Sequence, residues 1–348
     1  MTDELIIESS RHAPASPVET AGPIETAAPV RKRRLDSLPL LVVGMIAVLV
    51  ASRVVGGRHG PPWVQAWATV FIAICVQALP FLLLGTVLSA AVAAFVPTAF
   101  LERALPRNPV LAVPIAGVAG VVLPGCECAS VPVAGRLIAR GVAPAAALAF
   151  LLSSPAINPV VLVATGVAFR GHPEMVWARL IASLASAVVM GLLWDRFGKP
   201  EWLRPKVLQE QAVRGKRWVA FRHSLEHDFL HAGGFLVIGG LTAATLNVAL
   251  PRGLLSSVTG LPVLSVLVPA LLAVLLAVCS EADAFVAAGL AGLSPTARLA
   301  FMVVGPMVDI KLIALQAGTF GRAFAWRFSA ATFAVAVLMA SLVGWWLL

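Results

Sequence analysis

Two stretches, "LAFLLSSPAINP" (residues 148–159) and "LAFMVVGPMVDIKL" (residues 299–312), share an apolar triplet, a later proline, and then an amide or carboxylate. A shift of 151 residues superimposes them, and the same shift pairs Cys128 with Cys279, Gly141 with Gly292, Pro144 with Pro295, Pro155 with Pro306 and Asn158 with Asp309. Upstream the offset becomes 154, matching Phe81-Leu82 with Phe235-Leu236, Gly85 with Gly239 and Pro97 with Pro251. Ordered matches of Cys, Gly and Pro at a long fixed period predict an internal duplication, and the change of offset marks a short insertion between the two blocks.

Around these stretches the composition is that of a membrane protein. Of 348 residues, 59% are hydrophobic and 12% charged, where soluble domains carry roughly a quarter charged residues. Apolar segments at 38–55, 65–96, 143–168, 174–195, 228–250, 297–318 and 324–347 meet the length of about 20 residues needed to cross hydrocarbon. Two further apolar runs, 109–141 and 262–292, are interrupted in the middle by polar residues. Irregular backbone at membrane depth survives only where protein or water covers it, so these runs are predicted to enter and return as broken, re-entrant helical hairpins. The net charge of +9 is spread as short basic clusters beside apolar segments, the pattern that orients a chain in a bilayer, so nucleic acid is not an expected partner. Residues 1–37 lack periodicity and read as a disordered cytoplasmic tail.

The hydrophilic linker 196–227 holds Arg196, Lys199, Arg204, Lys206, Arg214, Lys216, Arg217 and Arg222, and "RKRR" occupies 31–34. The positive-inside rule assigns both to the cytoplasm. An extra N-terminal span at 38–55 then delivers the first repeat, 65–195, from outside, while the second, 228–348, starts inside. The expected fold is therefore an all-α polytopic membrane protein with two inverted repeats of three spans plus one broken hairpin each. Arg170, Arg179 and Arg298 fall on the outer side in this topology. Inverted repeats with broken helices are the architecture of secondary transporters, whose substrate site lies near the midplane between repeats. A cytoplasmic N-terminus follows, with the lipid bilayer as one partner; a homo-oligomer is compatible.

The chemistry concentrates in the two interruptions. "PGCECASVP" (124–132) places Glu127 between Cys126 and Cys128. Helical residues i and i+2 point about 200° apart, so two thiols on one ligand need irregular backbone, which Pro124, Gly125 and Pro132 are expected to supply. Thiolates are soft ligands suited to Cu(I), Zn(II) and thiophilic metalloids, and meeting hairpins would add Cys279 to Cys126 and Cys128 as a tentative metal set. Cys75 reads instead as a small hydrophobe in a helix. The second interruption reads "VCSEADAF", with Glu281 and Asp283, and the following span carries Asp309 and Lys311. Ionisable groups in spans face a cavity or one another, and acids outnumber Lys311, which suits a cation site or proton relay with Lys311 pairing Asp309, Asp283 or Glu281. Pro155 and Pro159 are expected to interrupt the first of these spans and Pro306 to shape the second, letting Ser153, Ser154 and Asn158 reach the cavity.

"HSLEH" (223–227) fits a zinc-protease pattern but sits at the mouth of a span, and with His231 reads as interfacial histidines. No "GxxxxGK[ST]" loop occurs, so ATP hydrolysis within this chain is not expected, nor is a cofactor. Two rival classes are a membrane thiol-disulfide oxidoreductase using Cys126 and Cys128, although redox pairs favour a Cys-x-x-Cys spacing, and an accessory membrane subunit.

The motifs "PGCECASVP", "LAFLLSSPAINP", "CSEADAF" and "LAFMVVGPMVDIKL", in order over roughly residues 65–320, resemble a bacterial family of permeases, the YraQ-like group that includes the ArsP organoarsenical efflux permeases. The resemblance implies an inner-membrane permease, not an enzyme, and for the ArsP branch implies export of trivalent organoarsenicals with Cys126 and Cys128 as thiol contacts. Where the family usually has a small residue between the cysteines, this chain has Glu127, whose charge favours a cation. The expectation is export of a thiol-reactive metalloid or soft metal species, coupled to protons.

Overall fold

A computed structural model describes residues 61–95, 106, 108–121, 127–203, 217–249, 262–290 and 292–348. The tail, the span at 38–55, Pro124, Gly125 and Cys126 lie outside the described residues. Among the described residues all regular structure is helical. The helices are α1 (Pro62–Phe95), α2 (Pro109–Ala119), α3 (Glu127–Ala139), α4 (Pro144–Ile157), α5 (Pro159–Ala168) and α6 (Pro173–Phe197), then α7 (Arg217–Ala249), α8 (Pro262–Leu276), α9 (Asp283–Gly289), α10 (Pro295–Val304), α11 (Ile310–Thr319) and α12 (Arg322–Leu347). A long helix, four shorter ones and a second long helix thus follow one another twice in the same order.

Among the described residues, five segments are long and apolar enough to cross a bilayer: Pro62–Ala91, Pro144–Ala168, Pro173–Phe197, Ser224–Leu246 and Arg322–Leu347. Two expected spans are broken. Pro159 has no N–H and disfavours helical backbone in the residue before it, and Asn158 accordingly turns extended at φ −66°, ψ 157°. Its side chain accepts from Val161 N at 3.0 Å and donates to Ser154 O at 3.2 Å, so one amide satisfies backbone on both sides of the break. The segment read as one span over 297–318 is two ten-residue helices separated by Gly305–Asp309. There Asp309, extended at φ −139°, ψ 170°, caps α11 by accepting from Leu312 N at 2.6 Å. Asn158 and Asp309 therefore do the same local work, capping the second half of a broken helix as Asn and Asp do best.

Two prolines behave differently from expectation. Pro132 lies within α3 and Pro155 within α4. Each lacks the N–H that would bond the carbonyl four residues back, yet its helix continues through it; of Pro155 and Pro159, both expected to interrupt this span, it is Pro159 that marks the break, at Asn158. Pro306 does fall in the break between α10 and α11.

α4 is buried on all sides, with Leu148, Leu151 and Leu152 fully enclosed, which fits a helix that is apolar all round. It packs against α2, α3 and α6; α10 packs likewise against α8, α9 and α12. Gly191 of α6 sits against Ala145 of α4, and Gly344 of α12 sits against Thr296 of α10. Positions 145 and 296 are the two that the 151-residue shift superimposes. The long helices α1 and α7 pack along one another, and each receives a short helix through a glycine. A Cβ on Gly85 would collide with the Ala129 backbone of α3, and one on Gly239 would lie 2.8 Å from Lys311 Cα of α11. The short helices also cross between halves, α3 onto α11 and α5 onto α9. Trp63, Trp326, Trp345 and Trp346 project outward at helix ends, the position aromatic side chains take at membrane interfaces.

Candidate functional site

The site is built where α3, the 279–283 loop and α11 meet. Glu127 opens α3 and Asp309 caps α11, so two carboxylates stand at helix N-termini, where the macrodipole favours negative charge. Lys311, two residues beyond the cap, pairs with both: its Nζ donates to Glu127 Oε1 at 2.9 Å and lies 3.4 Å from Asp309 Oδ2. Lys311 and Asp309 are fully buried and Glu127 is 1% exposed, so this is a dry ion cluster. Cys279 Sγ accepts from the same ammonium at 3.8 Å. The sequence offered Asp309, Asp283 or Glu281 as partners of Lys311; the structure adds Glu127 from the other half and takes Asp283 away.

Asp283, at the start of α9, is held by Arg179 of α6 through a two-pronged pair, Nη1 to Oδ1 at 2.8 Å and Nη2 to Oδ2 at 2.7 Å. Arg179 Nη1 also donates to Thr165 Oγ1 at 2.9 Å, and Thr165 in turn donates to Val161 O. Orientation counting places Arg179 among outer-side charges, yet its side chain is fully buried. Six residues into an apolar helix, an arginine must find a partner inside the bundle, and that rule was the available signal.

The remaining candidates are buried but divided. Cys128, 1% exposed, lies on α3 one residue after Glu127 and joins the apolar core with Leu82 and Val131. Ser153 donates to Phe150 O, and Ser154 supplies the carbonyl that Asn158 holds. These groups stabilise the α4–α5 break. Cys75 packs with Phe71 and Ala244 in a separate cluster, as expected of a small hydrophobe. Glu281 sits between Cys279 and Asp283 on the loop. Cys75, Cys128 and Cys279 form no disulfide. Among the described residues no three His, Cys, Asp or Glu side chains come together as a metal set; Cys126 lies outside them. His227 and His231 stack at 5.8 Å, and His231 bonds to Gly318 O at 3.1 Å.

Buried oxygens without partners collect at the cluster: Glu127 Oε2, Asp309 Oδ2 and Glu281 Oε2, with Ser280 Oγ on the same loop. Asp309 Oδ2 is within ion-pair range of Lys311 but out of hydrogen-bond alignment. Orphaned buried acceptors are costly, and two of them belong to the carboxylates that share the Lys311 ammonium, with Glu281 on the loop that carries Cys279, an arrangement suited to taking a cation, a proton or water. A third buried pair lies apart from the cluster. Arg136 near the end of α3 forks onto Asp228 of α7 at 3.2 and 2.8 Å, and Ser89 of α1 donates to Asp228 at 2.7 Å.

No solved structure matches the chain. It is 30% identical over 297 residues to a Streptococcus mutans protein named "Putative two-component membrane permease complex subunit", covering 82% of this chain and 98% of that protein. It is 33% identical over 279 residues to the Bacillus subtilis UPF0718 protein YcgR, covering 78% of this chain and 94% of that protein. The ArsP_1 family profile, described as predicted permease, matches residues 64–345. With its apolar helices and exposed tryptophans at helix ends, the chain is a multi-pass membrane protein that belongs to this permease family.

Proposed function

We propose that the chain is a permease that moves a thiol-reactive metalloid or soft metal species across the inner membrane, outward and in exchange for protons, by rocking two inverted repeats, 65–195 and 228–348, against one another. The supporting observation is the composition of the buried cluster. A thiol, Cys279, and two carboxylates, Glu127 and Asp309, share one ammonium, and Glu127 Oε2 and Asp309 Oδ2 make no hydrogen bond. A soft cation entering this cluster would take the thiol and carboxylates as ligands and displace the Lys311 charge, so that cargo and proton compete for one set of acids. Cys128, with Cys126, would complete the thiol set from the first half. The short helices that cross between halves, α3 onto α11 and α5 onto α9, would carry these ligands as the repeats rock.

Uptake into everted membrane vesicles tests the reading with methylarsenite, arsenite, Zn(II) and Cu(I) as probes. Accumulation of one probe that disappears in the Cys126→Ser, Cys128→Ser double variant is the expected result. Equal accumulation in vesicles with and without the protein, for every probe, would overturn the soft-ligand cargo. A second reading draws on the name of the Streptococcus mutans relative: the chain works as one component of a two-component permease. It predicts that uptake requires co-expression of a second membrane protein.

A further inference from the structure

Three buried ion pairs join residues of the first half to residues of the second: Arg136 to Asp228, Glu127 to Lys311 and Arg179 to Asp283. They are arranged in order of depth. Glu127 opens α3, and Arg136 follows nine residues later, about 14 Å along the helix, close to the turn that leads into α4. The 25-residue segment Pro144–Ala168 then carries the chain back through the bundle, about 37 Å of rise, to the opposite end. There the chain turns into α6, and Arg179 lies six residues from its start. The Arg136–Asp228 and Arg179–Asp283 pairs therefore flank the Glu127–Lys311 cluster, one toward each face of the bundle. Between them the cluster is closed to solvent on both sides, with Lys311 fully buried and Cys279 3% exposed.

We propose that these flanking pairs are the two gates of the site. Each ties the halves together on one side of the cluster, and opening the site toward that side requires that pair to part while the other holds. With both pairs formed, the structure is the occluded state. The pairs are built for this duty. Each is a two-pronged arginine–carboxylate contact, strong and directional when closed, and each is neutral as a whole, so parting it admits water without leaving net charge at the gate. Each is also tied to a moving part. Asp283 belongs to the loop that carries Cys279, so releasing Arg179 frees the thiol; Ser89 links the Arg136–Asp228 pair to α1, which packs along α7. The inference rests on the rocking of two halves proposed above and assigns its regulation.

Sided labelling of Cys279 with a membrane-impermeant maleimide tests it, in full-length protein carrying Cys75→Ser, Cys126→Ser and Cys128→Ser. Right-side-out and everted vesicles present opposite faces, and Ala143→Cys and His172→Cys, both at exposed turns, mark the two ends of the bundle in parallel samples. With both arginines intact, Cys279 is expected to be slow from either face. Arg136→Gln is expected to raise its labelling about tenfold or more, only from the face marked by Ala143→Cys. Arg179→Gln is expected to do so only from the face marked by His172→Cys. The exchanged pair Arg136→Asp, Asp228→Arg is expected to restore slow labelling. Entry from the same face in both arginine variants, entry from both faces as in a loosened fold, or no rise in either overturns the gates. Labelling needs no cargo, so failure of every uptake probe leaves the gates standing, and failure of sided labelling leaves the cargo reading standing.

Discussion

Replacing Lys311 by Met removes the only ammonium, among the described residues, within reach of two buried carboxylates while keeping most of the side-chain volume. Removing one partner of a buried ion pair costs about 3–5 kcal/mol, because the remaining charge is stranded. The cheapest escape is uptake of a proton by a stranded carboxylate. At neutral pH that costs about 1.4 kcal/mol for each pH unit above the ordinary carboxylate range, roughly 3–4 kcal/mol in total, so the two routes to the magnitude agree. Lys311 Nζ is 2.9 Å from Glu127 Oε1, both side chains are 1% exposed, and Asp309 is fully buried, so solvent screening gives little relief. Against a total stability of about 5–15 kcal/mol, the loss should lower the unfolding midpoint of the purified protein in detergent by roughly 5–15 °C. The sign of the pH dependence is set by the same escape. The variant's folded state gains more by binding a proton than its unfolded state does, so the penalty should shrink as pH falls from 7 toward 5. The double variant Glu127→Gln, Lys311→Met, which leaves only Asp309 charged, should recover a substantial part of the loss. A midpoint for Lys311→Met within 2 °C of wild type, unchanged by pH, would refute the buried cluster.

Two further outcomes follow from the packing. Gly85→Val places a side chain on the Ala129 backbone of α3 and should cost about 1–3 kcal/mol or more, read as lost folded protein in fluorescence-detected size exclusion. Gly289→Ala, with nothing within 4 Å of its Cβ, is the matched control that should be tolerated. Asn158→Ala removes the cap of α5 and the bond to Ser154 O; it should cost about 1–2 kcal/mol in thermal unfolding, and Asn158→Asp should recover the cap's share.

The membrane class and most of the long helices were legible because they rest on signals that survive without tertiary contacts, apolar length and helix-breaking Pro and Gly; the duplication rests on matched landmarks at one offset. The same offset anticipated that Asn158 and Asp309 are equivalent, though it is the extended backbone at both that reveals their common duty as caps. What the sequence concealed was partnership. Glu127 read as a ligand between two thiols because its neighbours in the chain are Cys126 and Cys128, whereas its partner, Lys311, lies in the other half. Arg179 reads as an orientation signal because positive-inside counting treats every arginine near a helix end as solvated. Six residues inside α6, it instead finds a carboxylate across the interface, as Arg136 does from the last turn of α3. Pro132 and Pro155 misled because a proline inside a helix removes one backbone hydrogen bond without having to end the helix, a distinction that composition does not carry.

The distribution of buried charge bears on what the cluster is for. Arg136 with Asp228 and Arg179 with Asp283 are each balanced, while Lys311 faces both Glu127 and Asp309, with a Glu281 oxygen also without a partner nearby on the loop. The surplus negative charge is thus confined to the middle of the bundle, where a permanent unpaired charge would be hardest to keep. A cargo cation or an exchanged proton resolves it, and a purely structural pair does not call for it. Asp309→Asn separates these accounts. Asn caps a helix as well as Asp does, and the first half already uses Asn158 in that place, so α11 should remain capped and thermal stability should stay within about 1 kcal/mol of wild type. Removing the surplus charge should nevertheless abolish proton-dependent uptake into everted vesicles while the Lys311–Glu127 pair persists as a neutral unit. A stable Asp309→Asn protein with wild-type uptake would show that the surplus carboxylate is a helix cap and nothing more, and that cargo and proton meet elsewhere in the bundle.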